Sequence, residues 1–167
     1  GNDTVNAGNG NNTVWLGEGD DSAVSGSGRD TISAGEGNDT VRAGAGNDIV
    51  YGGEGDDRIL GEAGNDLLIG HEGNDTLNGG TGNDTLVAGI GDDLVDGGSD
   101  DDSINGDKGH DTMFGGDGND SMFGDEGNDL IYGGRGNDTL IGDAGCDTLS
   151  GGAGCDVFAF SSSNDWG

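Results

Sequence analysis

The sequence has too few hydrophobic residues to build an ordinary globular core. They make up 29% of its 167 residues, against roughly 45–50% in a typical soluble domain. Basic residues are scarcer still: the sequence has five Lys and Arg residues and 34 Asp and Glu residues, which give a formal net charge of −29. Proline is absent and glycine supplies 41 residues, each of which loses much backbone freedom on folding. Composition alone predicts an acidic, disordered linker, and no nucleic-acid partner is expected.

The order of the residues contradicts the linker interpretation. Counting in nines from Asp3, 18 of 19 positions are Asp, and the residue two places later is apolar in every repeat from Val5 to Phe158. A disordered tail needs polarity but no register, whereas a fixed period indicates a repeat array. We call these positions the Asp ladder: Asp3, Asn12, Asp21, Asp30, Asp39, Asp48, Asp57, Asp66, Asp75, Asp84, Asp93, Asp102, Asp111, Asp120, Asp129, Asp138, Asp147, Asp156 and Asp165.

The nonapeptide period predicts the fold. Thr139-Leu140-Ile141 and its equivalents are typical of three-residue strands, whose central residue points inward and whose neighbours point outward. The glycine-rich remainder is long enough to reverse the chain. We therefore predict an all-β, parallel β-roll solenoid of two short parallel sheets, in which two nonapeptides form one coil of about 18 residues and coils stack about 4.8 Å apart.

Stacking places the Asp ladder in two rows of closely spaced carboxylates. At an effective dielectric near 20, each adjacent pair would repel by roughly 3.5 kcal/mol, so cations are needed between them. Carboxylates and turn carbonyls offer only oxygen ligands, which suits Ca²⁺ better than Mg²⁺ or zinc. We expect up to about 17 ions, bound by the ladder aspartates from Asp21 to Asp156, with Asp3 and Asp165 as weaker end sites.

The quoted repeats also resemble a known family. GGRGNDTLI (133–141), GGDGNDSMF (115–123) and GGTGNDTLV (79–87) are similar to the nonapeptide of RTX proteins, the hemolysin-type calcium-binding family. The resemblance covers essentially the whole chain. It implies a parallel β-roll that holds Ca²⁺ through Asp and turn carbonyls, export through a type I secretion channel, and folding outside the cell. RTX modules are attached to proteases, lipases, cytolysins, adhesins and alginate epimerases.

Several repeats depart from the pattern. The first glycine of the turn is replaced at Ala7, Leu16, Ser25, Ala34 and Ala43, but from Gly52 to Gly151 it is absent only at Ala88. We expect this middle stretch to bind best, and Asn12 to weaken the site that it shares with Asp30. Asp100 stands where glycine is otherwise found. Either it adopts a left-handed conformation or its turn is distorted, and we expect distortion.

The two ends suggest a part of a longer protein. We assign residues 1–160 to the repeat array and residues 161–167 to the start of an incomplete C-terminal capping segment, because Ser161, Ser162 and Ser163 replace the turn glycines. The chain begins within a repeat, without an initiator Met, signal peptide or transmembrane run. We therefore expect a fragment of a secreted or cell-surface protein.

The remaining chemistry-bearing residues do not form a catalytic set. Cys146 and Cys155 lie nine residues apart, on opposite edges of the roll, so an intramolecular disulfide is not expected. His71 and His110 occupy turn positions without a partner in register. No Ser/His/Asp set or zinc motif stands apart from the ladder, so we expect no enzymatic activity in this chain.

Outward strand positions carry two apolar groups. Ile49, Tyr51, Leu67, Ile69 and Val87, with Phe123 and Ile141 farther along, are predicted on one sheet; Leu94, Phe114, Leu130 and Tyr132 are predicted on the other. Either group could be ordinary β-surface or a docking face. We treat the second as ordinary and keep self-association through the Ile49/Tyr51/Leu67/Ile69 face open.

Three function classes follow from these observations. The leading one is a non-catalytic calcium-dependent folding module of a secreted bacterial protein, which stabilises or displays attached domains. The second is an accessory module of a secreted enzyme such as an epimerase, protease or lipase. The third is an ice-binding or adhesin solenoid, although the outward row that begins Thr4, Ser22, Thr40, Arg58 is interrupted.

Overall fold

The computed structural model describes residues 1–159 and consists of 18 strands. In chain order they are β1 (Thr4–Gly8), β2 (Thr13–Glu18), β3 (Ser22–Ser25), β4 (Thr31–Glu36), β5 (Thr40–Ala45), β6 (Ile49–Glu54), β7 (Arg58–Ala63), β8 (Leu67–Glu72), β9 (Thr76–Thr81), β10 (Thr85–Ile90), β11 (Leu94–Ser99), β12 (Ser103–Lys108), β13 (Thr112–Asp117), β14 (Ser121–Phe123), β15 (Leu130–Arg135), β16 (Thr139–Ile141), β17 (Thr148–Ala153) and β18 (Val157–Ala159). No helix long and apolar enough to cross a membrane occurs in residues 1–159.

The strands form two parallel sheets of nine. Odd-numbered strands make one sheet in the order β1 to β17, and even-numbered strands make the other in the order β2 to β18. We call them the odd sheet and the even sheet. Paired residues lie 18 positions apart, as Leu68 and Leu86 do, except at a β-bulge between β1 and β3 where Gly8 pairs with Ser25. The predicted β-roll with two nonapeptides per coil is confirmed.

A thin core runs between the sheets. The central residue of each strand triplet points inward, so that Ile59 and Leu77 from the odd sheet and Leu68 and Leu86 from the even sheet are at most 1% exposed. Burying such a side chain contributes about 1.5–3 kcal/mol. Because each coil supplies only two of these residues, a coil becomes stable only when others stack on it.

The strands are longer than the predicted triplets. Most contain six residues, and only β14, β16 and β18 contain three. In β11 and β13 the pairing continues past the triplet, from Asp96↔Phe114 to Gly98↔Gly116. The predicted strands were too short because the glycines were assigned to the turns, whereas the backbones of these glycines still form hydrogen bonds to the next coil.

The turn at Asp100 corrects a second expectation. Asp100 has a φ of 79°, so it adopts the left-handed conformation that glycine has elsewhere. Its N–H donates to the carbonyl oxygen of Asp117 at 2.7 Å, as the equivalent glycines donate in their turns. The expected backbone distortion is therefore wrong, because Asp tolerates this conformation better than most residues.

The last strand, β18, ends the described part of the chain at Ala159. Residues 160–167, which include the proposed capping segment and Asp165, lie outside the described residues. Val157 and Phe158 in β18 are 55% and 43% exposed. The boundary at residue 160 stays a prediction.

Candidate metal centre

The ladder aspartates lie inside the turns at both edges of the roll. Those from Asp21 to Asp138 are at most 3% exposed. Asp147 and Asp156 are half-buried, and Asp3 in the first coil is exposed. The structure thus brings the predicted site residues together in two rows, with only the ends open to solvent.

One carboxylate oxygen of each buried ladder residue has a backbone partner. The N–H of Asp48 donates to Oδ1 of Asp66 at 2.8 Å, and the N–H of Asp66 donates to Oδ1 of Asp84 at the same distance. The pattern repeats every 18 residues along both rows. Each side chain therefore reaches back and caps an amide of the preceding coil.

The second carboxylate oxygen is buried without a hydrogen-bond partner. A buried polar atom left unpaired is costly, and a buried charge more so. Fourteen such Oδ2 atoms occur in the described residues, those of Asp21, Asp30, Asp39, Asp48, Asp57, Asp66, Asp75, Asp84, Asp93, Asp102, Asp111, Asp120, Asp129 and Asp138. Their regular spacing indicates that the roll leaves these atoms for a ligand.

Burial raises the pKa of the ladder carboxyls from Asp39 to Asp129. It raises the pKa of Asp66 and Asp102 to about 7, although the N–H of Asp48 or Asp84 lowers it and neighbouring ladder charges raise it further. Burial likewise raises the pKa of Asp57 to about 6. The charged form is therefore disfavoured unless positive charge lies beside it.

Backbone carbonyl oxygens surround the same position. Asn12, the one ladder amide, shows where they lie. Its Nδ2 donates to the carbonyl oxygen of Gly10 at 2.7 Å and to that of Gly8 at 3.2 Å. In the other repeats a carboxylate oxygen replaces this donor and cannot bond to a carbonyl. A cation between these oxygens would take the place of the amide hydrogens.

The donor set fits calcium. Within residues 1–159 no group of three or more His, Cys, Asp or Glu side chains converges on one point, so carbonyl oxygens must supply much of any coordination shell. Ca²⁺ accepts six to eight oxygen ligands, including backbone carbonyls, in flexible geometry. Zinc would require nitrogen or sulfur ligands.

A second ladder on the outer edge was missed in the sequence. The residue before each ladder Asp is often Asn or Asp, and its side chain accepts from the next coil. Asn38 Oδ1 accepts from the N–H of Asp56 at 2.9 Å, and Asp56 Oδ1 accepts from that of Asn74 at 2.8 Å. The recurring Asn in GND was the available signal. This outer ladder reinforces stacking without using the inner carboxylates.

The two histidines and two cysteines lie on the surface of the turns. Cys146 and Cys155 are exposed free thiols, as predicted. His110 Nδ1 accepts from the N–H of Asn128 at 2.9 Å and so replaces one Asx side chain of the outer ladder. His71 stacks on Tyr51 with ring centroids 6.1 Å apart. Neither histidine joins the ladder carboxylates.

These features define a β-solenoid whose candidate metal ligands are repeated along the coil. The family comparison agrees with that class. A model of the RTX calcium-binding nonapeptide repeat matches ten overlapping segments that together span residues 1–166, from 1–32 to 132–166. The chain belongs to this RTX repeat family, and its nonapeptides are calcium-binding repeats. Comparison of the chain with curated proteins gave no significant match.

Proposed function

We propose that the chain is a non-catalytic module of a larger secreted bacterial protein, in which calcium binding and folding are one event. The observation that carries this proposal is the set of fourteen buried, unpartnered Oδ2 atoms. Neighbouring carboxylates about 4.8 Å apart would repel by roughly 3.5 kcal/mol per pair at an effective dielectric of 20. Ions between them convert this repulsion into attraction.

The ladder aspartates from Asp21 to Asp156 supply the carboxylate ligands, and the turn carbonyls complete each site. Asp3 and Asp165 form weaker sites at the ends. Seventeen ions are the upper limit, because nine gaps in one row and eight in the other separate the 19 ladder positions. Asn12 removes one carboxylate and weakens the site shared with Asp30.

Folding that depends on calcium would keep the chain unfolded until it has been exported from the cell. With a charge of −29 and 29% hydrophobic residues, the ion-free chain has the composition of a disordered polymer. Such a chain stays unfolded in a calcium-poor cytosol, passes through a type I secretion channel and folds outside. There the rigid roll stabilises or displays attached domains, including a catalytic domain where the parent protein is an enzyme.

The test is a calcium titration of the purified chain followed by circular dichroism. In chelator we expect a disordered spectrum, and in millimolar Ca²⁺ a β-rich spectrum. Mg²⁺ at the same concentration is the control, and we expect it to induce less structure because it demands stricter octahedral geometry. Identical spectra in chelator and in Ca²⁺ would contradict the proposal.

The even sheet offers a surface for a second copy of the chain. Its outward positions, one and three residues after each ladder residue, carry no charged side chain from Thr13 to Ala159 in the described residues. The Ile49/Tyr51/Leu67/Ile69 face lies half-buried at its centre. Because both partners carry −29, a charge-free face is where two copies repel each other least.

Sedimentation velocity in Ca²⁺ tests this surface. We expect a concentration-dependent dimer that Ile69→Asp disrupts. Leu94→Asp on the odd sheet is the matched control and should leave the dimer intact. A monomer at all concentrations would refute self-association but leave the calcium proposal standing.

A further inference from the structure

The three glycines of a turn meet two different requirements. In the turn before Asp57 they are Gly52, Gly53 and Gly55. Gly53 and Gly55 have φ values of 126° and 115°, which side chains rarely permit. Gly52 has no such positive φ, so the backbone conformation there is open to any residue. Glycine at the first position must therefore serve to leave space.

That space lies beside the unpartnered carboxylate oxygen. A Cβ built on Gly52 would overlap Oδ2 of Asp57 and would lie 2.7 Å from the carbonyl oxygen of Gly70 in the next coil. A carboxylate oxygen and a carbonyl oxygen thus converge on the volume that the missing side chain leaves free. Nine first glycines share this geometry: Gly52, Gly61, Gly70, Gly79, Gly97, Gly106, Gly115, Gly124 and Gly133.

Six turns have a side chain in this position. They carry Ala7, Leu16, Ser25, Ala34, Ala43 and Ala88. Ala34, Ala43 and Ala88 are fully buried and extend the apolar core. By their position in the repeat, these side chains occupy the place that the first glycine leaves free beside Oδ2 in the glycine turns.

Five of the six lie in the first 48 residues, and that segment needs fewer cations. It contains eight acidic and two basic residues, a net charge of −6 over 48 residues or one per eight residues, whereas residues 49–145 contain 23 acidic and three basic residues, a net charge of −20 over 97 residues or about one per five. Its Asn12 amide already bonds to two turn carbonyls. The lower charge, the Asn12 amide and the filled first positions are three separate features, and each indicates that this segment binds fewer cations.

We infer that the first turn position selects which parts of the ladder hold calcium. Ions bind where it is glycine, and bind weakly or not at all where a side chain fills it. The inference rests on the proposed calcium function and refines it. The roll then has a calcium-poor N-terminal segment of residues 1–48, and a calcium-rich segment of residues 52–156 that is weakened at Ala88. The number of tightly bound ions falls nearer the eleven first glycines from Gly52 to Gly151 than seventeen.

Counting bound ions in three variants of the full chain tests the inference. Equilibrium dialysis against Ca²⁺ gives the number of tight ions per chain. Ala88→Gly should add one ion, because it opens the space beside Asp93. Ala63→Gly is the matched control, since it also exchanges Ala for Gly but at the exposed last residue of β7, and it should leave the number unchanged. Gly79→Ala should remove one ion or weaken it about 10–100-fold, the usual cost of disturbing the surroundings of a metal ligand.

The outcomes separate the two proposals. If the wild-type chain binds no Ca²⁺, the proposed function fails. If the chain binds Ca²⁺ but Ala88→Gly and Ala63→Gly give the same count as wild type, only the role of the first position is overturned. A wild-type count of seventeen tight ions would overturn it as well. If Gly79→Ala does not fold, the ion count of Ala88→Gly still tests the role of the first position, because that substitution only removes a methyl group.

Discussion

The backbone N–H of Asp57 donates a 2.8 Å hydrogen bond to Oδ1 of Asp75, one coil farther along the chain. Each ladder carboxylate therefore has two tasks. Its Oδ1 fixes the preceding coil, and its Oδ2 faces the turn glycines without a protein partner. The same side chain thus takes part in coil stacking and in the proposed cation binding.

Replacing Asp84 separates these two tasks. Asp84→Ala removes the acceptor for the buried N–H of Asp66, and leaving that donor unsatisfied should cost about 1–3 kcal/mol. Asp84→Asn keeps Oδ1 and places an amide beside the turn carbonyls, as Asn12 does. We therefore expect Asn to destabilise the calcium-loaded roll less than Ala does. Urea unfolding in saturating Ca²⁺ measures both, and equal losses would contradict the double role.

The core contributes to stability independently of the ions. Leu86 is fully buried, so Leu86→Ala should lower the free energy of unfolding by about 2–5 kcal/mol. Leu94 is 45% exposed on the odd sheet, and Leu94→Ala should change it by at most about 0.5 kcal/mol. Thermal unfolding of both variants in Ca²⁺ checks the difference. Similar midpoints would mean that the ions, and not the core, determine stability.

The left-handed residue at Asp100 predicts a stabilising substitution. Its φ of 79° costs roughly 1–2 kcal/mol for a residue with a Cβ. Burial raises the pKa of Asp102 to about 7, and the charge of Asp100 contributes to that rise. Asp100→Gly removes both penalties and loses one 3.2 Å hydrogen bond from Gly82 N–H, so we expect a net gain of about 1 kcal/mol.

The neighbouring position supplies the control for that substitution. Asp101 has no positive φ, and its Oδ1 accepts from the N–H of Asn119 at 2.7 Å. Asp101→Gly should therefore destabilise the roll, by about 0.5–1 kcal/mol from backbone entropy and more from the lost hydrogen bond. Denaturant midpoints in Ca²⁺ report both variants, and equal shifts would show that φ is not the cause.

The raised pKa values predict how the ion-free chain responds to pH. Burial raises the pKa of Asp66, Asp75, Asp102 and Asp111 to about 7, against about 3.9 in an unfolded chain. The folded form therefore binds more protons, so its stability is greatest below pH 4 and is lost as pH rises through 7. In chelator, acidification from pH 8 to pH 5 should increase β structure in the circular dichroism spectrum.

Calcium reverses this dependence. If the ion binds the ionised ladder carboxylates, as we propose, protons compete with it, and the Ca²⁺ concentration at the folding midpoint should rise as pH falls from 8 to 5. A midpoint that does not change over this range would show that the buried carboxylates are not the ligands. Ionic strength is held constant, because surface charges also respond to salt.

The nonapeptide period alone determined the architecture of this protein. A carboxylate every nine residues and an apolar residue two places later leave one arrangement that buries the apolar positions from Ala23 to Leu140, and that arrangement is an 18-residue coil. The metal class followed from the same pattern, because Asp and glycine carbonyls offer only oxygen. Local alternation and spacing suffice for these conclusions since each coil contacts only its neighbours.

Other features depended on contacts between coils, which no single repeat contains. The strand length came from glycine backbones that bond to the coil above, and the outer Asx ladder came from side chains that reach 18 residues forward. The turn at Asp100 keeps the usual geometry because the N–H of the left-handed Asp100 still donates to the carbonyl oxygen of Asp117. The different roles of the first glycine and of the other two glycines in a turn can also be recognised only from the tertiary structure. Only stacking shows that the first one leaves room beside a carboxylate oxygen, while the others permit the positive φ of the turn.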